Sequence, residues 1–387
     1  MTPAVADPPH GSTVRDPGSF RDPSGFVFRR DGRLFRQVNR RYAAHWDALV
    51  SSGFLTGLVE AGLLIPFGTL DVAASADPSI AHALIAPEPV DFLSYPYEWT
   101  FSQLRDAALL TLDIQARAQK AGFTLKDASA YNIQFHRGRP VLIDTLSFET
   151  ATPGAPWIAY RQFCQHFLAP LALMAYRDVR LGTMLREYID GLPLDLTSRL
   201  LPGRTRLRFG LLSHIHLHAR AEHRYDKQSD TADAGEAAKP RTAPTMSDTR
   251  RAALLDSLRS ATRKLHWNPA GTEWADYATN TSYSDAATAD KDRVVGEMLA
   301  ASAGTTVWDL GANTGRFSRI AADLGRRVVA FDIDPGAAEL HYRAIRKERL
   351  ESILPLVGDL ANPSPGLGWA GAERASLAAR ANADAIL

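Results

Sequence analysis

VWDLGANTGRF, at residues 307–317, has the pattern of a strand that turns sharply into a helix. Asp309 follows apolar residues, and Gly311 and Gly315 come after it, four residues apart. Glycine accepts a positive φ and lets a ligand approach the backbone closely. The stretch therefore predicts a turn that holds a nucleotide or a cofactor, and simple packing of the strand on the helix is the alternative.

Strand-like and helix-like segments alternate from this turn onward. The strand-like segments are TTVWDL, RVVAFDID and ILPLVGD, and the helix-like segments are GRFSRIAADLG and residues 336–350. Alternation of this kind is typical of a parallel α/β sheet. We therefore predict a Rossmann-like α/β fold for this part of the chain.

Two common nucleotide motifs fit the turn poorly. A phosphate-binding P-loop needs a lysine after its last glycine, and here Arg316 follows Gly315. A dinucleotide fingerprint needs a glycine in the middle of G-x-G-x-x-G, where the backbone approaches the pyrophosphate. Asn313 stands at that position, and its side chain would crowd the pyrophosphate. The P-loop is excluded, and dinucleotide binding stays open as an alternative.

The pattern D-x-G-x-N-x-G, with its acid inside the strand, resembles motif I of the class I S-adenosylmethionine-dependent methyltransferases. S-adenosylmethionine has no phosphate but carries an ammonium, a sulfonium and a ribose diol, which suit carboxylates and an open backbone. The resemblance implies six cofactor-binding residues: Asp309 at the methionine end, Gly311, Asn313 and Gly315 in the turn, Asp332 on the ribose and Asp359 on the adenine amino group.

The spacing of the acids supports this interpretation. Asp332 ends the second strand-like segment, roughly 20 residues beyond the glycines, where an acid can accept both ribose hydroxyls. Asp359 follows the third strand-like segment. Three acids at the ends of three successive strands favour a cofactor site over simple packing. In the loop before the turn, Tyr277 and Tyr283 are either lid residues over the cofactor or packing residues.

A second motif, LKDASAYNIQFHRGRPVLIDTLSF at residues 125–148, resembles the catalytic segment of protein kinases and aminoglycoside-type phosphotransferases. The resemblance implies an α+β kinase-like fold for the N-terminal domain. It also implies that Asp127 is the base toward a hydroxyl, that Asn132 and Asp144 bind Mg²⁺, and that Mg-ATP is a second cofactor.

The N-terminal segment departs from the kinase pattern in several places. Leu125 and Lys126 stand before Asp127 in place of the usual His-Arg or His-Gly, and the first 70 residues contain neither a G-x-G-x-x-G loop nor a V-A-I-K-like lysine. Arg36 or Arg40 would have to replace that lysine, and the pattern selects neither. The alternative is an interaction or substrate-recruiting domain whose acids are turn residues.

Composition divides the chain into segments. The 387 residues are too many for one ordinary core. A polar lead rich in Pro and Gly occupies residues 1–25, and residues 226–248 lose nearly all large apolar side chains. Such segments bury too little surface to order themselves. We therefore predict a kinase-like α+β domain at 26–225, a linker at 226–248 and a methyltransferase domain at 249–387.

Composition also indicates which classes of partner and which cellular compartment to expect. The chain has 44 basic and 43 acidic residues, which gives no indication of a nucleic-acid partner. Its single cysteine, Cys164, cannot form an internal disulfide, which favours a reducing, cytoplasmic setting. No uncharged apolar run reaches about 18 residues, so we expect no membrane span.

Long phrases of the chain resemble those of a group of bacterial methyltransferases related to nodulation proteins, in which a kinase-like region precedes the methyltransferase domain. SYPYEWTFSQLRDAALLTLDIQ, LKDASAYNIQF and AYRQFCQHFLAPLAL carry this resemblance. It implies methyl transfer to an acceptor that is a small molecule, a glycan or lipid-linked glycan, or a protein. The alternatives are a phosphotransferase that uses Asp127, Asn132 and Asp144, and a non-catalytic binding module.

The last residues, ANADAIL, stand where the fourth of the seven strands of a class I methyltransferase begins, at Asp384. The sequence as printed thus predicts an incomplete sheet, with an unpaired apolar edge and an uncovered helix face. From this we expect a truncated chain that binds the cofactor weakly or not at all and does not turn over.

Overall fold

The computed structural model describes residues 13–220, 245–270, 272, 284–380 and 382–387. An antiparallel sheet of five strands forms the first part of the fold. The sheet has the strand order β1-β2-β3-β5-β4, and its strands are β1 (Thr13–Arg15), β2 (Gly25–Arg30), β3 (Arg33–Asn39), β4 (Phe67–Leu70) and β5 (Ala81–Pro87). Helices α1 (Ala43–Ser51) and α2 (Phe54–Glu60) connect β3 to β4. Asp31 and Gly32 both have positive φ between β2 and β3, as a two-residue hairpin turn requires.

A long helix, α3 (Phe101–Lys120), follows this sheet. It begins in a capping box, in which the Thr100 hydroxyl accepts from the Gln103 N–H and the Gln103 side chain accepts from the Thr100 N–H. Gly122, with a φ of +82°, takes the chain away from its carboxyl end. The sequence pattern predicts this helix at 104–122, and the capping box starts it three residues earlier.

Short strands follow α3 and carry the kinase-like segment. They are β6 (Phe123–Leu125), β7 (Ile133–His136), β8 (Arg139–Leu142) and β9 (Phe148–Thr150). The apolar runs YNIQF and PVLID, separated by the turn HRGR, predict a hairpin, which is confirmed as the antiparallel pair β7 and β8. Strand β6 pairs with β9. Arg137 and Gly138 make the hairpin turn with positive φ.

Helical segments complete this part of the chain. They are α4 (Tyr160–Phe163), α5 (Ala169–Tyr176), α6 (Met184–Glu187), α7 (Leu194–Leu200), α8 (Phe209–Leu211) and α9 (Asp248–Arg263), with π-helical turns at Cys164–Leu168 and Leu212–Leu217. Helix α9 lies beyond the predicted linker in sequence but packs against α3 and α8. Arg259 of α9 donates to the Leu112 carbonyl of α3.

The carboxyl-terminal part is a parallel α/β unit, as the alternating pattern predicts. Its elements are α10 (Asp285–Ala301), β10 (Thr306–Leu310), α11 (Arg316–Asp323), β11 (Arg327–Asp332), α12 (Pro335–Glu348), β12 (Ile353–Val357), α13 (Leu377–Arg380) and β13 (Ala385–Ile386). The four strands pair in parallel in the order β12-β11-β10-β13. The sequence predicts that the last strand begins at Asp384, and the strand begins one residue later, at Ala385, after the Asp384 N–H has donated to the Thr306 carbonyl.

The two parts of the chain share one hydrophobic core. Phe92 packs edge-on against Trp308 and Phe331 of the parallel sheet, with ring centroids 6.2 and 6.0 Å apart. Helix α3 packs on α12, where the Tyr342 hydroxyl donates to Asp106. The expectation of an uncovered helix face is therefore wrong for α12, because α3 covers it. Within the described ranges, no helix combines the length and the apolar character needed to cross a bilayer.

Candidate cofactor site

A cavity of about 680 Å³ opens at the carboxyl ends of β10, β11 and β12, and we call it the sheet-edge cavity. Open parallel sheets bind ligands at this edge, and the volume lies in the range of small-molecule sites. The turn after β10 and the ends of β11 and β12 form its floor, and α10 and α11 form its sides. Four of the six predicted cofactor residues line it: Gly311, Asn313, Asp332 and Asp359.

Two backbone groups hold the Asp332 carboxylate at the cavity. The Asn313 N–H donates to Oδ2 at 2.7 Å, and the Asp334 N–H donates to Oδ1 at 2.8 Å. Burial raises the pKa of Asp332, and these two hydrogen bonds oppose the rise. A carboxylate oxygen accepts more than one hydrogen bond, so both oxygens keep capacity for a ligand. A pair of hydroxyls, such as a ribose diol, suits this arrangement.

The turn residues reach the cavity through their backbone conformations. Gly311 has a φ of +84°, and a Cβ built there would meet no atom within 4 Å. Asn313 has a φ of +50°, in the left-handed region that asparagine tolerates better than most residues. The positive φ of Gly311 and Asn313 bends the chain back so that the Asn313 N–H reaches Asp332.

Asp309 and Gly315 do not reach the cavity lining, although both were predicted to be part of the site. Asp309 is 3% exposed and accepts a hydrogen bond from the Ser318 hydroxyl at 2.6 Å; burial raises its pKa. Gly315 has a φ of +82°, and a Cβ there would lie 2.0 Å from Nε2 of His341. Both residues therefore support the strand–helix packing beneath the turn.

The sequence motifs do not identify the apolar and cationic residues of the cavity. Ile333 and Leu360 follow the two cavity acids directly and are 60% and 44% exposed. An apolar residue after a strand-end acid is the sequence signal that would have found them. Lys291 of α10 and Phe317 of α11 also line the cavity, with the Lys291 ammonium 5.0 Å from the centre of the Phe317 ring. They come from two helices, and no local pattern links them.

Asp359 lies at the rim of the cavity, just beyond β12. Its Oδ1 accepts from the Ala361 N–H at 2.9 Å, which fixes the carboxylate next to the exposed Leu360 side chain. A carboxylate beside an apolar surface can accept from an amino group whose ring lies on that surface. Tyr277 and Tyr283, the predicted lid residues, lie outside the described residues.

Asp127 and Asp144 of the kinase-like segment lie close enough for their charges to interact. Burial raises the pKa of Asp127, and the negative charge of Asp144 raises it further. Asp127 accepts from the Ser129 N–H at 2.9 Å and from the Gln162 amide at 2.8 Å. The Asn132 amide donates to the Ser147 hydroxyl at 3.3 Å. These are contacts that turn residues make.

Asp144 is paired with a guanidinium. Arg36 of β3 forms an ion pair with Oδ1 of Asp144, and the Ser147 hydroxyl and Leu146 N–H also donate to this carboxylate. Burial would raise the pKa of Asp144, but the charge of Arg36 and these hydrogen bonds hold it below its usual value. The structure thus selects Arg36 over Arg40 as the partner of this acid. The predicted Mg²⁺ roles of Asn132 and Asp144 stay predictions.

Metal ligands do not cluster in the part of the chain that the structure describes. No group of three or more His, Cys, Asp or Glu side chains there is arranged to hold a metal ion. Arg36 is the cationic partner of Asp144, and the sheet-edge cavity is the site with the clearest ligand geometry.

Comparison with known proteins gives one clear relative. No protein-family model matches the sequence. The chain is 33% identical over 382 residues to the nodulation protein NoeA of Rhizobium meliloti strain 1021, and the alignment covers 96% of the chain and 77% of NoeA. Among solved structures, that of vaccinia related kinase 3 aligns with 67% of the chain and 86% of its own length, at 14% identity and a TM-score of 0.26. A TM-score this low carries no argument about the fold.

Proposed function

The chain belongs to the family of the nodulation protein NoeA, and with that membership as the starting point we propose that it is an S-adenosylmethionine-dependent methyltransferase with its cofactor in the sheet-edge cavity. One observation carries the proposal. Two carboxylates, Asp332 and Asp359, stand at the ends of neighbouring parallel strands in one cavity, Asp332 fixed by two backbone N–H groups and Asp359 by one. The ligand groups that suit them are a diol and an amino group.

Different residues of the cavity would contact different parts of the cofactor. Asp332 would accept from the ribose hydroxyls, and Asp359 would accept from the adenine amino group beside Leu360 and Ile333. Gly311 leaves space above the turn for close approach. S-adenosylmethionine, when bound, supplies a methyl group that an acceptor takes from sulfur by in-line displacement. The contribution of the chain is to orient the two reactants.

With the cofactor bound as proposed, neither carboxylate of the cavity is left to act as a general base. Asp332 would be engaged by the ribose hydroxyls and Asp359 by the adenine amino group, and Asp309, which is not in the lining, accepts from Ser318. No histidine is among the described residues that line the cavity. We propose that the acceptor atom is nucleophilic without deprotonation by these residues.

The proposal extends to the chain as it stands. All described residues that line the cavity lie between Ala287 and Ala361. We therefore propose that the chain binds S-adenosylmethionine, rather than binding it weakly or not at all as the sequence pattern suggests. The phosphotransferase alternative gains no support from the contacts of Asp127 and Asp144, because each acid is already bound to protein donors.

Substitution of Asp332 by asparagine tests the proposal. In Asp332→Asn the amide cannot accept from the Asn313 N–H, the Asp334 N–H and the ribose hydroxyls together, and the charge is lost. A hydrogen bond to a charged group contributes about 1.5–3 kcal/mol, so we expect cofactor affinity to fall about 10- to 100-fold by isothermal titration. Asp323→Asn, at the exposed end of α11, is the matched control and should leave affinity unchanged. Equal affinity for both variants would refute the role of Asp332.

A further inference from the structure

A second cavity, of about 350 Å³, lies between the two parts of the chain, and we call it the junction cavity. Tyr97, Trp99 and the segment 174–186 contribute its N-terminal wall, and the residues that follow β11 and β12 contribute the other. The Tyr97 hydroxyl and the Ser364 hydroxyl hydrogen-bond at 2.6 Å and join the two walls. The proposed methyl transfer makes no use of this cavity.

Two charged residues of the junction cavity have no ion-pair partner among the described residues: Arg186 and, on the wall shared with the sheet-edge cavity, Asp359. Arg180 forms a forked ion pair with Asp178, at 2.9 and 2.6 Å, and Glu98 is bound through both oxygens by Arg380, at 2.7 and 2.6 Å. Arg186 is half-buried in the wall, and no carboxylate among the described residues pairs with it. Placing a guanidinium in a partly buried position without a counter-ion costs free energy, which an anionic ligand would recover.

The rest of the wall is largely apolar. Met174, Val179, Pro335, Val357 and Leu377 line it together with the ring of Trp99. Sites for small molecules combine such apolar surface with one or a few polar groups that fix orientation. The guanidinium fork of arginine matches a carboxylate or a phosphate group.

We propose that the junction cavity binds a small amphipathic anion, with its carboxylate or phosphate on Arg186 and its apolar body against Met174, Val179 and Leu377. The cavity shares a wall with the sheet-edge cavity at Ile333, Asp359 and Leu360. If the proposed function is right, this wall faces adenine and not the methyl group. The anion is therefore a second ligand of the protein and not the methyl acceptor.

Ligand-detected NMR with the full chain tests this proposal. Saturation-transfer difference spectra would be recorded with phenylacetate, phenyl phosphate and benzyl alcohol as probes. We expect saturation of phenylacetate, of phenyl phosphate or of both, and the pattern identifies which anionic group the site takes. We expect little saturation of benzyl alcohol, which has the ring without the charge. No saturation of either anion, or equal saturation of benzyl alcohol, would overturn the proposal.

Arginine variants locate the anion. Arg186→Gln should weaken binding of the saturated anion at least tenfold, whereas Arg199→Gln, which removes an exposed arginine that is paired with Asp195 and does not line the cavity, should leave it unchanged. If Arg186→Gln does not fold, Arg186→Lys decides, because lysine keeps the charge and loses the fork, so binding should weaken but persist. Unchanged binding in the folded Arg186 variant would contradict the assignment. Titration of the wild-type chain with S-adenosylmethionine is read separately, so failure of the proposed function leaves this test intact.

Discussion

Gly315 lies at the closest approach between the glycine turn and the helix beneath it. Its φ of +82° favours glycine, and the ring of His341 stands where a side chain would begin. In Gly315→Ala we expect backbone strain of about 1–2 kcal/mol together with an overpacking cost of similar size. The free energy of unfolding should fall by about 3 kcal/mol in chemical denaturation.

A second glycine distinguishes the cost of backbone strain from the cost of overpacking. Gly325 has a φ of +76°, but a Cβ there would meet no atom within 4 Å. Gly325→Ala should therefore cost only the strain, about 1 kcal/mol. If both variants lose the same stability, the contact with His341 does not explain Gly315.

At the residue scale, the sequence predicted the acids at the strand ends better than the roles of the turn residues. Asp332 and Asp359 reach the cavity because the carboxyl ends of neighbouring parallel strands meet at one edge. The hydrogen bond of Asp309 with Ser318 was not foreseen, because a motif gives the order of residues along a strand but not the partner that the side chain meets. The contact of Gly315 with His341 joins a turn to a later helix, and no local pattern reports it.

Helices α3 and α12 meet at a carboxylate that is fully buried. Glu339 of α12 accepts from the Ser102 N–H at 2.9 Å, from the Ser102 hydroxyl at 2.5 Å and from Nε of Arg343 at 2.6 Å. Glu339→Gln keeps the shape but replaces one acceptor oxygen by a donor that faces other donors. We expect it to lower the free energy of unfolding by about 2–3 kcal/mol, because hydrogen bonds to a charged group are lost.

Glu348, on the same helix, is the matched control. Its ion pair with Arg319 at 3.1 Å is partly exposed on both sides, and such pairs contribute at most about 1 kcal/mol. Glu348→Gln should therefore change stability little. Urea titration of both variants makes the comparison, and a similar small loss in each would show that the two helices do not depend on Glu339.

At the element scale, features encoded by neighbouring residues could be predicted from the sequence, whereas contacts between distant residues could not. The hairpins at Asp31-Gly32 and Arg137-Gly138 are encoded in neighbouring residues, so their turn patterns were sufficient to predict them. The capping box of α3 is equally local but was not predicted, which is why the predicted start of that helix is three residues late. The π-helical turns and the packing of α9 on α3 have no comparable local signal. Helix α3 covers α12 through contacts between residues 237 positions apart, and a single sequence does not show which distant residues are in contact.

The stability of the whole molecule should depend on pH through four histidines that are buried in the described part of the chain. Burial lowers the pKa of His166 and of His214 to about 4 and that of His341 to about 3, and it also lowers the pKa of His216. In the unfolded chain a histidine takes up a proton near pH 6.5. Between that pH and the lowered values the unfolded state binds more protons, so the free energy of unfolding falls as pH falls.

The expected slope is about 1.4 kcal/mol per pH unit for each of these histidines below about pH 6.5. Thermal melts from about pH 7 to about pH 5 should show a steady fall in Tm. His341→Leu, which removes one of the four titrating groups, should make the fall about one quarter shallower. A Tm that stays level over this range would contradict the burial of the four rings as neutral groups.

For the whole molecule, composition and motif order predicted an α/β carboxyl-terminal part after a mixed N-terminal part, and both are present. They did not predict that the two parts share a core, because Phe92 and α3 meet the parallel sheet through contacts between distant residues. The domain boundaries themselves stay predictions.

The central claim is that the sheet-edge cavity holds S-adenosylmethionine and not a dinucleotide. Isothermal titration of the wild-type chain with S-adenosylmethionine, S-adenosylhomocysteine and NAD tests it most directly. The cavity acids suit the ribose and amino groups that all three ligands carry, whereas Asn313 crowds the pyrophosphate that only NAD carries. We predict saturable binding of the first two at one site per chain and no binding of NAD. Binding of NAD, or binding of none of the three, would contradict the claim.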